Sequence, residues 1–427
     1  MNGGLSMVEM KSGYKMTEVG VIPEDWEVCE LRNHLVLLTD YDANGSFADM
    51  ASNVVTTTGN GYAWYVRATD LEQQSSLSEV KYVDEKSYRF LRKSTLYGGE
   101  VLLAKRGEIG KVYYFQMKTK RATLAPNLYL LKLKDTINSY FLFSLFKSTF
   151  GQNLLKSINA STSLGAIYKD DVKGLNILIP PFEEQASIAT ALSDVDSLIS
   201  ALIKKIEKKK AIKQGLMQQL LTGKKRLPEF GEKWVEIELG QHSIMNSGGT
   251  PSTANPEYYG GKIPFLSIND ITNAGKFIYE TEKTITEEGL KNSSARLFKK
   301  GTIMYAMYAS VGKCAITKIR ISCSQAILGI NVDSTLDADF LYYYLVSIQD
   351  DVLNYGQTGT QTNLSKQIIS SFILNVPSSK AEQTAIANIL SDCDSEIAAL
   401  EEKRDKYKEI KQGMMQQLLT GKIRLIK

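Results

Sequence analysis

The chain has 427 residues and a formal net charge of only +4. That is length enough for at least two cored units and too little charge for a uniformly basic surface, so any nucleic-acid interface must be a patch. Cys29, Cys314, Cys323 and Cys393 show no CxxC spacing and suit buried thiols in a reducing, cytoplasmic setting. No uninterrupted apolar run approaches the ~18 residues of a membrane span, so none is expected, and the opening MNGGLSMVEMKSG has no signal-peptide core.

In chain order, residues 1–12 read as a flexible leader to a first mixed domain that runs to residue 182. Within it, Arg67, Lys105, Arg106, Lys111 and Asn127 sit among the aromatics Tyr62, Trp64 and Tyr113. Cations hold phosphates or guanine, and side-chain amides pair with base edges, so these are candidate DNA contacts. The joint IPPF, Ile179 to Phe182, resembles the [DNS]PP[YFW] loop of amino-group methyltransferases but lacks its polar first residue. Prolines commonly end a strand before a helix, which makes this a linker.

A helix is predicted over 183–226. Ile188, Leu192, Val195, Ile199, Leu202 and Ile206 alternate steps of four and three, the seam of a coiled coil. The stripe weakens at Lys209 and Lys213 and resumes at Leu216 and Leu220. The lysine-rich stretch 204–213 reads first as a solvated face. Gly223 fits a C-terminal stop.

A second mixed domain is predicted over 227–379. Its candidates for DNA contact are Asn269, Tyr305, Tyr308, Lys313 and Gln325, together with Gln361 and Asn363 from the amide- and hydroxyl-rich stretch GQTGTQTN. A second helix follows over 380–427. Its seam is Ile386, Leu390, Cys393, Ile397 and Leu400, with Arg404, Tyr407 and Lys411 before Met414 and Leu418. From Glu184 to Leu227 and from Glu382 to Leu425 the two copies agree at 29 of 44 positions without a gap. A repeat of this kind fixes architecture before any single residue does. The flanks repeat more faintly: Trp26, Leu31 and His34 match Trp234, Leu239 and His242. The expected fold is α+β: two mixed domains joined by two long helices in an antiparallel coiled coil, with a pseudo-two-fold internal repeat.

Catalytic motifs are absent. There is no GxxxxGK[ST] loop, no GxSxG elbow and no glycine-rich cofactor loop. His34 and His242 have no ligand-spaced neighbours and read as structural, so no metal site is expected.

The chain resembles the specificity subunits of type I restriction–modification systems. The likeness rests on GYKMTEVGVIPEDWEV, IPPFEEQASIA, KQGLMQQLLTGKKRLPEFGEKW and SGGTPSTANPEYYGGKIPFLSINDI, and its order of domain, helix, domain, helix covers essentially the whole chain. It implies two target recognition domains, each reading half of a bipartite asymmetric DNA site. It implies helices that set the spacer and dock two modification subunits carrying S-adenosylmethionine, joined by ATP-dependent restriction subunits. It implies no cofactor and no catalysis in this chain. The competing readings are a self-contained DNA methyltransferase or nuclease with degenerate motifs, and a scaffold that never touches DNA.

Overall fold

A computed structural model describes residues 12–159, 165–355 and 363–426, with side chains at 353–355 left undescribed. The chain divides into two compact units, residues 1–202 with 403–427 and residues 203–402. Both boundaries fall inside the long helices, so each helix contributes to both units.

In unit one a four-stranded antiparallel sheet runs in the order Val112–Tyr114, Val101–Ala104, Leu128–Leu133 and Leu35–Asp40. Its central strands are apolar at every position but Lys132. Period-two alternation sends Val101, Leu103, Tyr129 and Leu131 into a core shared with the helices, and Leu102, Ala104, Leu128 and Leu130 into a second core. That second core lies against a five-stranded sheet containing Ala63–Val66 and Ala122–Leu124. Double burial of this kind explains why these strands read as continuous apolar runs.

Unit two repeats the scheme. Ser243–Ser247, Ile327–Val332, Ile303–Ala306, Cys314–Thr317 and Phe277–Ile278 form one sheet, and a four-stranded sheet containing Tyr259–Leu266 and Ile321–Cys323 forms the other. Ile303 and Tyr305 face one core while Met304 faces the other. A short strand pair closes each unit beside its helix, Glu27–Glu30 with Asn176–Ile179 and Trp234–Glu238 with Ile373–Pro377.

The long helices are Phe182–Leu220 and Lys380–Leu418, 39 residues each, or about 58 Å. Pro181 accepts hydrogen bonds from the amides of Glu184 and Gln185, and Pro180 from the Gln185 side chain. The IPPF joint therefore starts a helix. Glycines in the left-handed region stop both, Gly223 at φ 68° and Gly421 at φ 70°, where other residues are strained.

Within each unit the helices pack antiparallel. In unit one Asp196 pairs with Lys411 at 2.7 Å and Glu184 with Arg424 at 2.7 Å. In unit two Lys213 pairs with Asp394 at 2.5 Å and Arg226 with Glu382 at 2.7 Å. In both sets one number rises as the other falls. Ile188, Leu192, Ile199, Leu202, Ile386, Leu390 and Ile397 are buried, and Val195 and Leu400 half-buried. The stripe is buried at most of its positions. Its charged interruptions are ion-paired across the helices, Lys209 to Glu396 and Lys213 to Asp394.

The first long helix also holds an apolar window of mean hydropathy 1.4, long and apolar enough to cross a membrane. Asp194 and Asp196 interrupt that window, so the sequence has no uninterrupted apolar run there. Its Ile188, Leu192 and Ile199 are buried against protein.

A second repeated device locks each unit. Glu184 and Glu382 have fully buried side chains. In unit one Glu184 accepts from Arg424 Nε at 2.7 Å, from Arg424 Nη2 at 2.8 Å and from Trp26 Nε1 at 2.9 Å. In unit two Glu382 accepts from Arg226 at 2.7 and 2.8 Å and from Trp234 at 3.4 Å. The arginine that completes each unit follows the C-terminal end of the long helix that begins in the other unit. Unit one is therefore finished by residues near the C-terminus, with Leu418 and Leu419 in its core. The first half of each helix packs on the domain that precedes it, Ile188 and Leu192 in the core of unit one and Ile386 and Leu390 in that of unit two.

Candidate nucleic-acid interface

The strongest repeated feature outside the helices is a three-strand junction. In unit one the Lys105 amide donates to the Asn127 carbonyl at 2.8 Å, and the Lys105 carbonyl accepts from Ile167 at 3.1 Å. In unit two the Met307 amide donates to Ala326 at 2.9 Å, and the Met307 carbonyl accepts from Leu364 at 3.0 Å. The backbone is the same while the side chains differ. Unit one presents Arg106 and Asn127 there; unit two presents Tyr308, Gln325 and Asn363, all exposed.

In unit one the junction opens into two adjoining clefts of about 600 and 450 Å³ that share Thr56, Tyr65, Pro126 and Asn127. Four cations line them, Arg67, Lys81, Lys105 and Arg106, against one anion, Asp42. Four of the five sequence candidates of this domain thus come together: Arg67, Lys105, Arg106 and Asn127. Asn127 takes φ 72°, a left-handed conformation that asparagine tolerates.

The cations are not equivalent. Arg67 is held by buried Asp70 at 2.5 Å, and that hydrogen bond pushes the guanidinium pKa up against the cost of burial. Lys105 lies between Asp40 at 2.8 Å and Asp42 at 2.6 Å. Burial alone would lower its pKa, but the two carboxylates outweigh it and raise it. Lys169 binds the other oxygen of Asp40 at 2.8 Å. Lys105 is thus largely neutralised within the fold, whereas Arg106 is exposed and has no ion pair among the described residues. Lys111 lies outside these clefts, paired to Glu72 at 3.1 Å and Glu108 at 3.0 Å.

Unit two corrects the candidate list. Tyr305 is fully buried and faces the core. The alternation of its strand points it inward, so it is removed from the list of candidate contacts. Lys313 is half-buried and donates to the Thr272 carbonyl at 3.4 Å, bracing the turn after Tyr308. Gln325 is hydrogen-bonded to Thr250. Asn269 lies apart, in a cleft of about 420 Å³ with Asp270, Glu280 and Glu282, a poor setting for phosphate. Gln361 lies outside the described residues. His34 bonds Thr136 and His242 bonds Thr335, each at 2.9 Å.

Sequence reasoning missed three residues at the junctions. Lys169 and Thr250 carry no pattern of their own. Phe47, 91% exposed at the rim of the larger cleft, follows a Gly-Ser pair that reads as an ordinary turn.

Comparison with known proteins agrees with this architecture. The family described as type I restriction modification DNA specificity domain matches residues 23–214 and again 231–412. The MjaX specificity subunit of Methanocaldococcus jannaschii is 28% identical over 434 residues, covering 97% of each chain. The type I restriction enzyme MjaVIII specificity subunit of the same organism is 25% identical, covering 95% of this chain and 94% of its own. The crystal structure of a type I restriction–modification S subunit from M. genitalium shares the fold at a TM-score of 0.62 and 16% identity, over 92% of this chain and 96% of that one. With two matches that together span most of its length, the chain belongs to the type I restriction–modification DNA specificity family.

Proposed function

We propose that this chain is the DNA-reading subunit of a type I restriction–modification complex and performs no catalysis itself. The observation that carries the reading is the contrast between the two repeats. The latches at Glu184 and Glu382 keep the same residues and the helix seam more than half of them, while the matching strand junctions present different chemistry. Constant parts suit a pair of identical partners; divergent parts suit two different ligands.

On this reading residues 1–182 and 227–379 are two target recognition domains, each taking one half of a bipartite, asymmetric site. The helices at 183–226 and 380–427 set the spacer and dock two modification subunits. S-adenosylmethionine and ATP belong to the modification and restriction subunits, and the complex works in the cytoplasm. Within unit one, Arg106 approaches phosphate or guanine and Asn127 an adenine edge, the pairings their donors and acceptors favour. In unit two, Gln325 and Asn363 do the corresponding work, with Tyr308 stacking.

The test is to express the chain with its modification partners and map the methylated adenines. A two-part motif with a constant gap is expected. Exchanging residues 228–378 for the matching segment of a relative should change one half of that motif only. A change in both halves, or in the gap, would overturn independent reading. Methyl transfer by the purified chain alone would overturn the non-catalytic assignment.

A further inference from the structure

We propose that Phe47 is an apolar wedge that enters the half-site read by unit one and unstacks a base step. The inference rests on the DNA-reading function proposed above and adds a residue and a mode of contact to it.

Phe47 is the first residue of the helix Phe47–Asn53, and that helix is well anchored. Ser46 caps it, accepting from the Asp49 amide at 3.2 Å while its own amide donates back to Asp49 at 2.8 Å. Met50, one turn on, is buried with Tyr41, Tyr65 and Leu91. Gly45 lies close against the helix, since an added Cβ would sit 3.0 Å from the Asp49 Cβ and 3.3 Å from the Phe90 ring. An aromatic ring on such a fixed element normally finds cover, yet this one is the most exposed large apolar side chain among the described residues. Burying a ring removes it from water at a gain, so its position calls for an external surface.

The neighbours indicate which surface. Phe47 shares its cleft with Arg106 and Asn127, and cations outnumber anions along the combined clefts. Double-stranded DNA offers phosphates for Arg106, base edges for Asn127 and stacked apolar faces for Phe47. Apolar side chains inserted between base steps partly unstack and kink a duplex, and the deformation is recovered through wider contact. Such a wedge also makes specificity depend on how easily the local step opens.

The test uses the chain assembled with its modification subunits and a duplex carrying the mapped methylation motif. 2-Aminopurine replaces each purine in turn in both half-sites, the methylated adenines excepted because a methyltransferase flips its target base whatever the wedge does, and its fluorescence reports unstacking on binding. In the native complex one or two adjacent positions in the first half-site should brighten, and none in the second. Phe47→Ala should abolish that signal and weaken binding roughly ten- to a hundredfold, the scale of one lost stacking contact. Phe47→Leu, still an apolar wedge, should retain most of both. Phe47→Ala should fold normally because the ring is outside the core. No brightening in the native complex, or brightening unchanged in Phe47→Ala, overturns the wedge while leaving DNA reading intact. Failure of Phe47→Ala to assemble with its partners overturns it too and makes Phe47 a protein contact. Absence of salt-dependent binding of the motif duplex by the native complex overturns the parent reading, and that result precedes any variant.

Discussion

Arg424→Ala should destabilise unit one although Arg424 lies 240 positions from the carboxylate it serves. The change removes two hydrogen bonds, at 2.7 and 2.8 Å, from a Glu184 side chain with no solvent exposure. Only Trp26 at 2.9 Å and the Leu425 amide at 3.3 Å remain as donors. Stripping one partner from a buried ion pair costs about 3–5 kcal/mol, because the other charge stays desolvated. The second contact of Arg424, to the half-exposed Asp25 at 2.6 Å, adds under about 1 kcal/mol on the scale of surface pairs. The buried contact therefore decides the outcome. Neutralising the stranded group in Arg424→Ala/Glu184→Gln should recover part of the loss, since an amide is cheaper to bury than a carboxylate. Amide hydrogen exchange resolved by segment is the assay. Protection should fall over residues 26–31 and 176–192 and persist in unit two. Arg226→Ala should give the converse pattern. A loss below about 1 kcal/mol, protection lost equally in both units, or a double variant weaker than the single, refutes the argument.

Tyr305→Phe removes a buried hydroxyl that has no hydrogen-bond partner, so stability should hold or rise by about 1 kcal/mol in urea unfolding, with the methylated motif unchanged. Leu192→Asp or Leu390→Asp places a charge in a fully buried seam position and should cost at least the ~2–5 kcal/mol of core truncation, read as a lower denaturation midpoint. Asp40 should support unit one in a pH-dependent way. Burial would raise its pKa, but Lys105 and Lys169 outweigh that and lower it. A depressed carboxylate stabilises above its unfolded value near 3.9 and loses that contribution as pH falls through the folded value. Asp40→Asn should thus narrow the stability gap between pH 6 and pH 3.

The helices were legible because their signal is repeated twice and periodic. Ile188, Leu192, Ile386 and Leu390 needed only spacing to be placed on a seam. The domains were legible as mixed units but not residue by residue. Tyr305 and Tyr308 lie three apart in one aromatic-rich stretch, and only strand alternation decides that one is core and the other surface. Lys105 reads as a DNA-facing cation until Asp40, 65 residues earlier, is found beside it. The exchange of arginines was hidden for the same reason. Trp26, Glu184 and Arg424 are each plain in the sequence, and no local rule ties them together.

That exchange bears on the order in which the molecule is made and folded. Translation delivers unit one's sheets first and the residues that close them last, after the whole of unit two has been synthesised. The first domain must therefore wait on the ribosome with its Glu184 slot unfilled, while the second receives Arg226 before its own strands have emerged. Synthesis and completion run in opposite directions along this chain. A chain truncated before residue 403 and released from the ribosome should hold unit two closed and unit one sensitive to protease, and a released chain extending past Arg424 should protect both.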